Sequence, residues 1–251
     1  MQDSISPFPL RVERADKSYN GKRVLKEVSL TLSEGEMFGL IGLNGAGKTT
    51  LIKIVLDLIT ADSGAAFLYE RPVTDMAARR HLSYLPEKFQ PSRYFKGYEY
   101  LELCLSYYRR RLDRASARAW AEKLDLDPQA LSARVGTYSK GMGQKLGLVG
   151  AFLVDAPLLL LDEPMSGLDP RARIRLKEVM LEQKRHGKTV FFSSHILSDI
   201  DEVCDRIGIL HEGKLYYLGT PAAFKERYGN VSLERSFLEL IAGPAAYSHA
   251  A

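Results

Sequence analysis

Cysteine is scarce in this chain. Cys104 and Cys204 are the only two among 251 residues, and they lie far apart without the spacing of metal ligands. Two such thiols are expected to be reduced and packed in a cytosolic protein, which argues against a disulfide framework and against a zinc site. The N-terminal stretch MQDSISPFPL lacks a basic start and an apolar core, so we expect no signal peptide.

Long hydrophobic runs are lacking as well. The nearest approach, LGLVGAFLVDAPLLLLDEP, is broken by Asp155 and Pro157, and it falls short of the ~18–20 apolar residues that a membrane span needs. Neither sign of charge dominates, since 35 basic and 31 acidic residues give a net charge of +4. This mild balance does not argue for nucleic-acid binding. Any work at a membrane would need another subunit to cross it.

The chain does contain an alternation of strand-like and helix-like segments. LRVERADKSY, KRVLKEVSLTL and EMFGLIG are short and rich in Val, Leu and aromatics, and NGK and EG separate them, which is typical of strands. Helical patterns dominate from about residue 87 to 152, and strands return at LLLLD, TVFFSS and RIGILHEGKLYYLG. This alternation predicts an α/β sheet with crossover helices and a helical insertion in the middle.

A glycine-rich segment, GLNGAGKT at residues 42–49, fits the pattern G-x-x-x-x-G-K-[ST]. It follows an expected strand and opens an expected helix, which is the context in which such a loop holds phosphates. Its three glycines allow the backbone to wrap closely around an anion, and the positive helix N-terminus favours one. Lys48 is placed to reach the outer phosphates, and Thr49 to ligate Mg²⁺. The alternative is a glycine-rich turn that matches by chance, and the strand–loop–helix context argues against it.

The run LLLLDEP, residues 158–164, is an unbroken apolar stretch that ends in two carboxylates. A fully buried parallel strand has this pattern, and ligands lie at the carboxyl ends of such strands in open α/β sheets. We assign Asp162 to Mg²⁺, through the water shell of the ion. Glu163, expected on the opposite face of the strand tip, is a candidate general base that polarises a water for attack on a γ-phosphate. Taken alone, the run also fits a strand capped by a solvated acidic turn.

Three further stretches leave their role open. His195 ends the apolar segment TVFFSSH, where a lone histidine is more often a hydrogen-bonded polar residue than a catalytic one. Tyr19 in KSYNGK fits a base-stacking aromatic and an ordinary strand aromatic equally well. The stretch YSKGMGQ, residues 138–144, is either a polar turn or half of an active site that another molecule completes.

Taken together, these stretches resemble the ATP-binding subunit of an ABC transporter, of the branch that serves drug and polysaccharide exporters. In chain order, Tyr19 resembles the family's adenine-stacking aromatic, GLNGAGKTT its Walker A loop, YLPEKFQ its Q-loop and YSKGM its signature. LLLLDEP resembles Walker B, MSGLD the D-loop and SSH the switch-histidine segment. The resemblance covers nearly the whole chain. The ordered set of motifs is far more specific than most of the individual motifs.

This resemblance implies ATP and Mg²⁺ as ligands and ATP hydrolysis as the reaction. The residues implied in catalysis are Glu163, His195 and Lys48, and those implied in metal binding are Thr49, Asp162 and Glu87. The residues implied in ATP binding are Tyr19, Gly42, Asn44, Gly45, Ala46, Gly47, Lys48, Thr49, Thr50, Ser139, Gly141 and Asp169. Ser139 and Gly141 would donate to the γ-phosphate of ATP held by a second subunit, and Asp169 would cross between the two sites.

Three positions depart from the family's pattern. Lys140 stands in place of the first glycine of the signature pair, and Met142 in place of its glutamine. Glu87 stands where the Q-loop has its glutamine, with Gln90 nearby. A carboxylate still offers oxygen to Mg²⁺, but it adds a charge that an amide lacks.

The implied fold is an α/β P-loop NTPase with a RecA-like core, an N-terminal antiparallel β subdomain and an inserted α-helical subdomain. We expect a single ABC-type ATP-binding domain over residues 1–251. Its nucleotide-binding core would comprise residues 1–86 and 156–228. The helical subdomain with the signature would comprise residues 87–155, and a C-terminal helix and tail residues 229–251.

The implied function is that of an ATP-hydrolysing subunit on the cytoplasmic face of the cell membrane. It would dimerise with a second copy or a homologous ATPase subunit, bind a membrane-spanning subunit and move cargo outward rather than inward, with no nucleic acid as partner. The basic stretch YYRRRLDRASAR, residues 107–118, fits a solvated helix face or a face near anionic lipid headgroups.

Two alternatives belong to other classes. A soluble ABC-type ATPase acting on ribosomes or DNA would be expected to carry a second cassette or a long coiled coil, and the sequence shows neither. A P-loop kinase or GTPase would make YSKGM, MSGLD and SSH coincidences. A G-domain would also be expected to show the guanine-specifying NKxD, which is not found.

Overall fold

The structure is a computed structural model that describes residues 8–242. Its strands are β1 Leu10–Tyr19, β2 Lys22–Leu32, β3 Met37–Ile41, β4 Ser63–Leu68, β5 Arg71–Pro72, β6 Leu82–Leu85, β7 Leu158–Asp162, β8 Thr189–Ser194, β9 Arg206–His211 and β10 Lys214–Gly219. Its α-helices are α1 Lys48–Val55, α2 Gly97–Tyr107, α3 Arg114–Lys123, α4 Lys140–Leu153, α5 Pro170–Arg185, α6 Leu197–Val203, α7 Pro221–Glu226 and α8 Leu233–Ala242. Short 3₁₀ turns lie at Ala78–His81, Pro128–Ser132 and Val135–Thr137.

Backbone contacts divide the chain into two units. One comprises residues 1–75 and 193–251, and the other comprises residues 76–192. The division into core, helical subdomain and C-terminal tail that we expect from the sequence was drawn from the motifs and not from contacts. It stays a prediction. The last nine residues of its C-terminal tail, 243–251, lie outside the described residues.

The first unit contains an antiparallel sheet with strand order β2-β1-β4-β5. β1 and β2 are joined at Asn20 and Gly21, whose φ angles of 49° and 80° are both left-handed, as a two-residue hairpin turn requires. A second group of strands follows the order β10-β9-β3, with β3 and β9 parallel. α1 packs on β1, β2 and β4, while α6 packs on β3. The expected antiparallel N-terminal sheet is therefore confirmed.

The second unit combines parallel strands with the helices of the middle segment. β6 and β7 run parallel, and Leu85 lies opposite Leu161 near their carboxyl ends. All five residues of β7 are buried, which confirms the buried strand expected from its apolar run. α2, α3 and α4 pack on one another, and Trp120 stacks on Phe152 with ring centroids 5.2 Å apart. The α/β class with a helical middle segment is thus confirmed.

The basic stretch at residues 107–118 is not one helix face, so that interpretation was wrong. α2 ends at Tyr107, and α3 begins only at Arg114. Between them Arg109 takes a left-handed φ of 56°, and the side chain of Asp113 accepts hydrogen bonds from the first amides of α3. An N-capping aspartate starts a new helix, so the arginines at 109–111 lie in a turn.

No helix among the described residues is long and apolar enough to span a membrane. The apolar run around residues 146–164 is interrupted at residues 155–157. Those residues form the connection between α4 and β7. Cys104 and Cys204 are partly buried thiols that are not joined in a disulfide.

Candidate functional site

The glycine-rich loop joins β3 to α1 in the first unit. Gly45 has a φ of 82°, and Gly47, the N-cap of α1, has a φ of 112°; both values favour glycine. A Cβ atom on Gly42 would lie 2.5 Å from the carbonyl oxygen of Leu210, so that position has no room for a side chain. Each glycine of the loop thus has a steric or conformational reason to be there.

Lys48 folds back across this loop. The residue is only 6% exposed, and its Nζ donates a hydrogen bond to the carbonyl oxygen of Gly42 at 2.6 Å. The first turn of α1 carries no acidic residue, so the positive end of the helix is not neutralised by its own side chains. Thr49 and Thr50 follow in the same turn and are partly buried. This loop is a cationic cradle suited to phosphate.

The hairpins on either side hold the loop in place. A Cβ atom on Gly47 would lie 2.8 Å from the carbonyl oxygen of Val24, and the amide of Gly213 donates to the carbonyl of Ala46 at 3.2 Å. A cleft of about 470 Å³ borders the loop at Asn44, Gly45 and Ala46, and its wall includes Lys22, Arg23 and Lys26. Sequence reasoning missed Val24 and Gly213, and only the turn-forming Glu-Gly pair at residues 212–213 signalled the second hairpin.

Tyr19 lies at the end of β1, opposite Lys22 in the same hairpin. It is 44% exposed, and the ammonium group of Lys17 lies 5.7 Å from its ring centroid. An exposed aromatic ring of this kind is available to stack on a base. The adenine-stacking role of Tyr19 stays a prediction.

His195 follows β8 directly and is exposed. The hydroxyl of the preceding residue, Ser194, accepts a hydrogen bond from the amide of Ile196 at 3.0 Å. This contact bends the backbone around the histidine. His195 therefore sits on a tight turn at the end of a buried strand, where its imidazole is accessible.

Two buried carboxylates end β7 in the second unit. Asp162 is 1% exposed and Glu163 is 7% exposed. Glu163 has a left-handed φ of 50°, which is unfavourable for a residue with a Cβ atom. Strained backbone of this kind tends to cluster at functional sites. Strand alternation was the wrong basis for placing this side chain, because the backbone leaves the extended conformation at Glu163.

Glu87 lies just beyond β6, the parallel neighbour of β7. Leu85 and Leu161 are opposite one another, so Glu87 and Asp162 follow at the same carboxyl edge of this strand pair. Burial raises the pKa of Tyr84 well above its usual value, and the negative charges of Asp162 and Glu87 add to the shift. Both carboxylates therefore lie near enough to Tyr84 to act on its hydroxyl, which supports the grouping of Glu87 with Asp162.

The signature stretch forms a helix start rather than a plain polar turn. Ser139 is the N-cap of α4, and its hydroxyl accepts a hydrogen bond from the amide of Met142 at 3.2 Å. Gly141 lies in the first turn of that helix. Asp169 caps α5 in the same way, and the hydrogen bond from the amide of Ala172 lowers the pKa of its carboxyl.

A phosphate cradle on a strand–loop–helix in one unit, and a buried carboxylate pair at the end of a parallel strand in the other, define a P-loop nucleotide-binding protein. The family model described as "ABC transporter" matches residues 25–166. The chain belongs to this family, as one of its ATP-binding proteins.

Individual relatives agree with this assignment. An ABC transporter ATP-binding protein of Nostoc sp. is 42% identical over 200 residues, which cover 78% of this chain and 59% of the relative. The chain thus spans less than two thirds of that relative's length. The Nod factor export ATP-binding protein I of Burkholderia orbicola is 33% identical over 228 residues, or 88% of this chain and 74% of the relative.

The solved structure of the ATP-binding subunit of an ABC transporter is 34% identical to this chain. It superposes with a TM-score of 0.84 over 92% of this chain and 99% of its own. This solved structure therefore supports both the α/β P-loop fold and the membership of the family.

Proposed function

We propose that this chain is the ATP-binding and ATP-hydrolysing subunit of a transporter, and that it dimerises around two ATP molecules to drive a separate membrane-spanning subunit. The phosphate cradle at residues 42–49, with the buried ammonium of Lys48, is the observation that carries this proposal. The family is one of ATP-binding proteins, and dimeric cassettes share its fold.

Within this proposal the cradle binds the phosphates of ATP through its amides and Lys48. Glu163 accepts a proton from the water that attacks the γ-phosphorus, and ADP leaves as the bond to the β-phosphate oxygen breaks. His195 contacts the γ-phosphate and the attacking water. Ser139 and Gly141 donate to the γ-phosphate of ATP bound by the partner subunit, so that ATP holds the two subunits together until it is hydrolysed.

Mg²⁺ fits the donors that the chain offers. Among residues 8–242 no group of three or more His, Cys, Asp or Glu side chains is arranged to hold a metal ion alone, and Mg²⁺ typically takes one or two carboxylates together with substrate phosphates. We assign its protein donors to Thr49, Asp162 and Glu87, which are all hard oxygen donors. Bound there, the ion would neutralise phosphate charge.

An arginine groove in the second unit is our candidate surface for the membrane-spanning subunit. This groove, of about 830 Å³, is lined chiefly by Met76, Arg79, Arg80, Tyr107, Arg109 and Arg110. Met76 and Tyr107 are 71% and 77% exposed, and one carboxylate, Asp155, lies among the four arginines. Arg110 pairs with Asp155 at 3.6 Å, and the groove still carries more arginines than carboxylates. Exposed apolar side chains beside this excess of positive charge suit an acidic segment with apolar anchors.

We infer export rather than import, and a place on the cytoplasmic face of the membrane. The support is the relative named a Nod factor export ATP-binding protein, with which this chain shares 33% identity. The membrane location would depend on the partner subunit.

Co-purification tests this proposal. We expect a C-terminally tagged chain, extracted gently from native membranes, to bring a multi-span membrane protein in a stoichiometric amount. Arg80→Glu together with Arg109→Glu is expected to reduce that recovery at least about tenfold by charge repulsion, while ATP hydrolysis by the purified chain is retained. The control is Arg185→Glu, which reverses the charge of an exposed arginine elsewhere in the same unit.

The outcomes separate two claims. If only soluble partners or ribosomes accompany the wild-type chain, the transporter role is wrong and the soluble alternative replaces it. If the membrane protein still accompanies the doubly reversed chain, the transporter role stands and the arginine groove is not its docking surface.

A further inference from the structure

The lysine that departs from the family's signature lies against another motif of the same unit. Lys140 is the first residue of α4, directly after the N-cap Ser139. A Cβ atom on Gly167 would lie 3.1 Å from Cε of Lys140 and 3.3 Å from both its Cδ and its Cγ. The lysine stem therefore lies flat along the backbone of Gly167, in the turn that leads to Asp169.

Two further contacts join α4 to this turn. A Cβ atom on Gly141 would lie 3.1 Å from the carbonyl oxygen of Gly167, so the helix approaches the turn backbone closely. Deeper in the helix, the buried side chain of Gln144 donates from Nε2 to the carbonyl oxygen of Pro164 at 3.1 Å. The first turns of α4 thus contact the turn segment, residues 163–169, at Pro164 and at Gly167.

The turn segment carries two of the assigned site residues. Its backbone is tightly folded, because the amide of Ser166 donates to the carbonyl of Glu163 at 3.0 Å and that of Leu168 to Met165 at 3.2 Å. A shift at Gly167 would therefore move Glu163 on one side and Asp169 on the other. Gly167 itself has a left-handed φ of 76°, so no larger side chain of its own replaces the packing that Lys140 provides.

We propose that Lys140 is a positioning residue, which holds the signature helix and the turn carrying Glu163 and Asp169 in register through its aliphatic stem. This inference rests on the proposed ATPase function and extends it to a residue outside the family's pattern. The stem is the active part, because its methylenes make the contact. Within the subunit itself the charge does not stabilise the helix, since a cation is unfavourable at a helix N-terminus whose first turn has no acidic residue.

The test is steady-state ATP hydrolysis by three variants at this position. Lys140→Gly, which creates the family's usual residue, is expected to lower kcat about tenfold by misplacing Glu163, with little change in KM because the cradle at residues 42–49 is untouched. Lys140→Met keeps a long unbranched stem without the charge, and we expect it to retain wild-type kcat. Lys140→Ala is expected to resemble the glycine variant.

A matched control separates positioning from loss of helix stability. Arg114 is also a basic first residue of a helix in this unit, so Arg114→Gly has a similar backbone cost without contact to the turn segment. It is expected to leave kcat unchanged. Thermal unfolding of all four variants shows whether any loss of kcat follows stability instead.

A double-mutant cycle with Gly167→Ala gives a second measurement. In the wild-type background the new methyl group would lie 3.1–3.3 Å from the Lys140 stem and force the stem to shift, whereas in the Lys140→Gly background that contact is gone. The two substitutions are therefore expected to be non-additive in kcat.

The inference is overturned if Lys140→Gly keeps wild-type kcat, or if Lys140→Met loses as much activity as Lys140→Gly. Additive effects in the cycle would also contradict it. A wild-type chain with no ATP hydrolysis at all would instead refute the proposed function, and this inference with it.

Discussion

At the scale of single residues, the backbone at Glu163 carries most information about chemistry. A left-handed φ costs a non-glycine residue on the order of 1–3 kcal/mol, and here it falls on a carboxylate that is only 7% exposed. The turn segment retains this conformation through the hydrogen bond from Ser166 to the Glu163 carbonyl. A conformation maintained at such a cost suits a side chain with a defined task.

Glu163→Gln tests that task. Because an amide cannot accept the proton from water, we expect hydrolysis to fall by about 10²–10⁴-fold, while ATP affinity changes little. Phosphate release measures the first quantity and titration calorimetry the second. Glu122→Gln, at an exposed position of α3 in the same unit, is the control. Wild-type turnover by Glu163→Gln would exclude Glu163 as the general base.

Sequence patterns predicted the residue types of the site better than their conformations. The glycines of residues 42–49 were expected from their spacing, and the structure shows why Gly42 and Gly47 are required. The left-handed backbone of Glu163 has no counterpart in strand periodicity. The packing of Lys140 on Gly167 depends on two segments distant in sequence, so no local pattern reveals it.

At the scale of elements, apolar pattern and turn chemistry were reliable guides. The four leucines of β7 predicted a fully buried strand, and NGK predicted the turn between β1 and β2, which the structure shows as a hairpin. Apolar residues recur at helical spacing from Leu51 to Ile59 in the sequence, yet α1 ends at Val55 because Asp57 takes a left-handed φ of 56°. Periodicity continues past such a break, so it does not show where a helix ends.

Gly64 offers a test of how β1 and β4 fit together. The register between these strands is irregular from Glu13 to Asp16, and a Cβ atom on Gly64 would lie 2.2 Å from the carbonyl oxygen of Arg14. We expect Gly64→Ala to destabilise the chain by about 3 kcal/mol or more, since both the clash and the positive φ contribute.

Gly21→Ala is the matched control for this substitution. Gly21 has nearly the same φ, 80° against 83° for Gly64, but a Cβ atom there meets nothing within 4 Å. Its cost should be limited to about 1–2 kcal/mol for the left-handed conformation. Urea unfolding monitored by circular dichroism compares the two. Equal losses would mean that the close approach of β4 to β1 is not what requires Gly64.

At the scale of the whole molecule, the signature and the cradle belong to different contact units of the chain. In the proposed dimer, the cradle of each subunit binds that subunit's ATP. The signature of each subunit covers the ATP that the other subunit binds. Closed two-fold assemblies of this kind give two equivalent sites from one set of residues. Dimerisation is therefore part of the proposed chemistry.

The most direct test of this central claim is the ATPase activity of a mixture of two inactive variants. Lys48→Ala removes the cradle's cation, and Ser139→Arg blocks the signature, so each variant alone should lack hydrolysis. A mixed dimer has one site in which the intact Lys48 of one subunit meets the intact Ser139 of the other. The control is a mixture of Lys48→Ala with the double variant Lys48→Ala/Ser139→Arg. This mixture forms no intact site, because both subunits lack Lys48.

We expect the first mixture to hydrolyse ATP well above the sum of its two components, and the control mixture to remain inactive. A first mixture no more active than its separate components would contradict a site completed by the partner's signature.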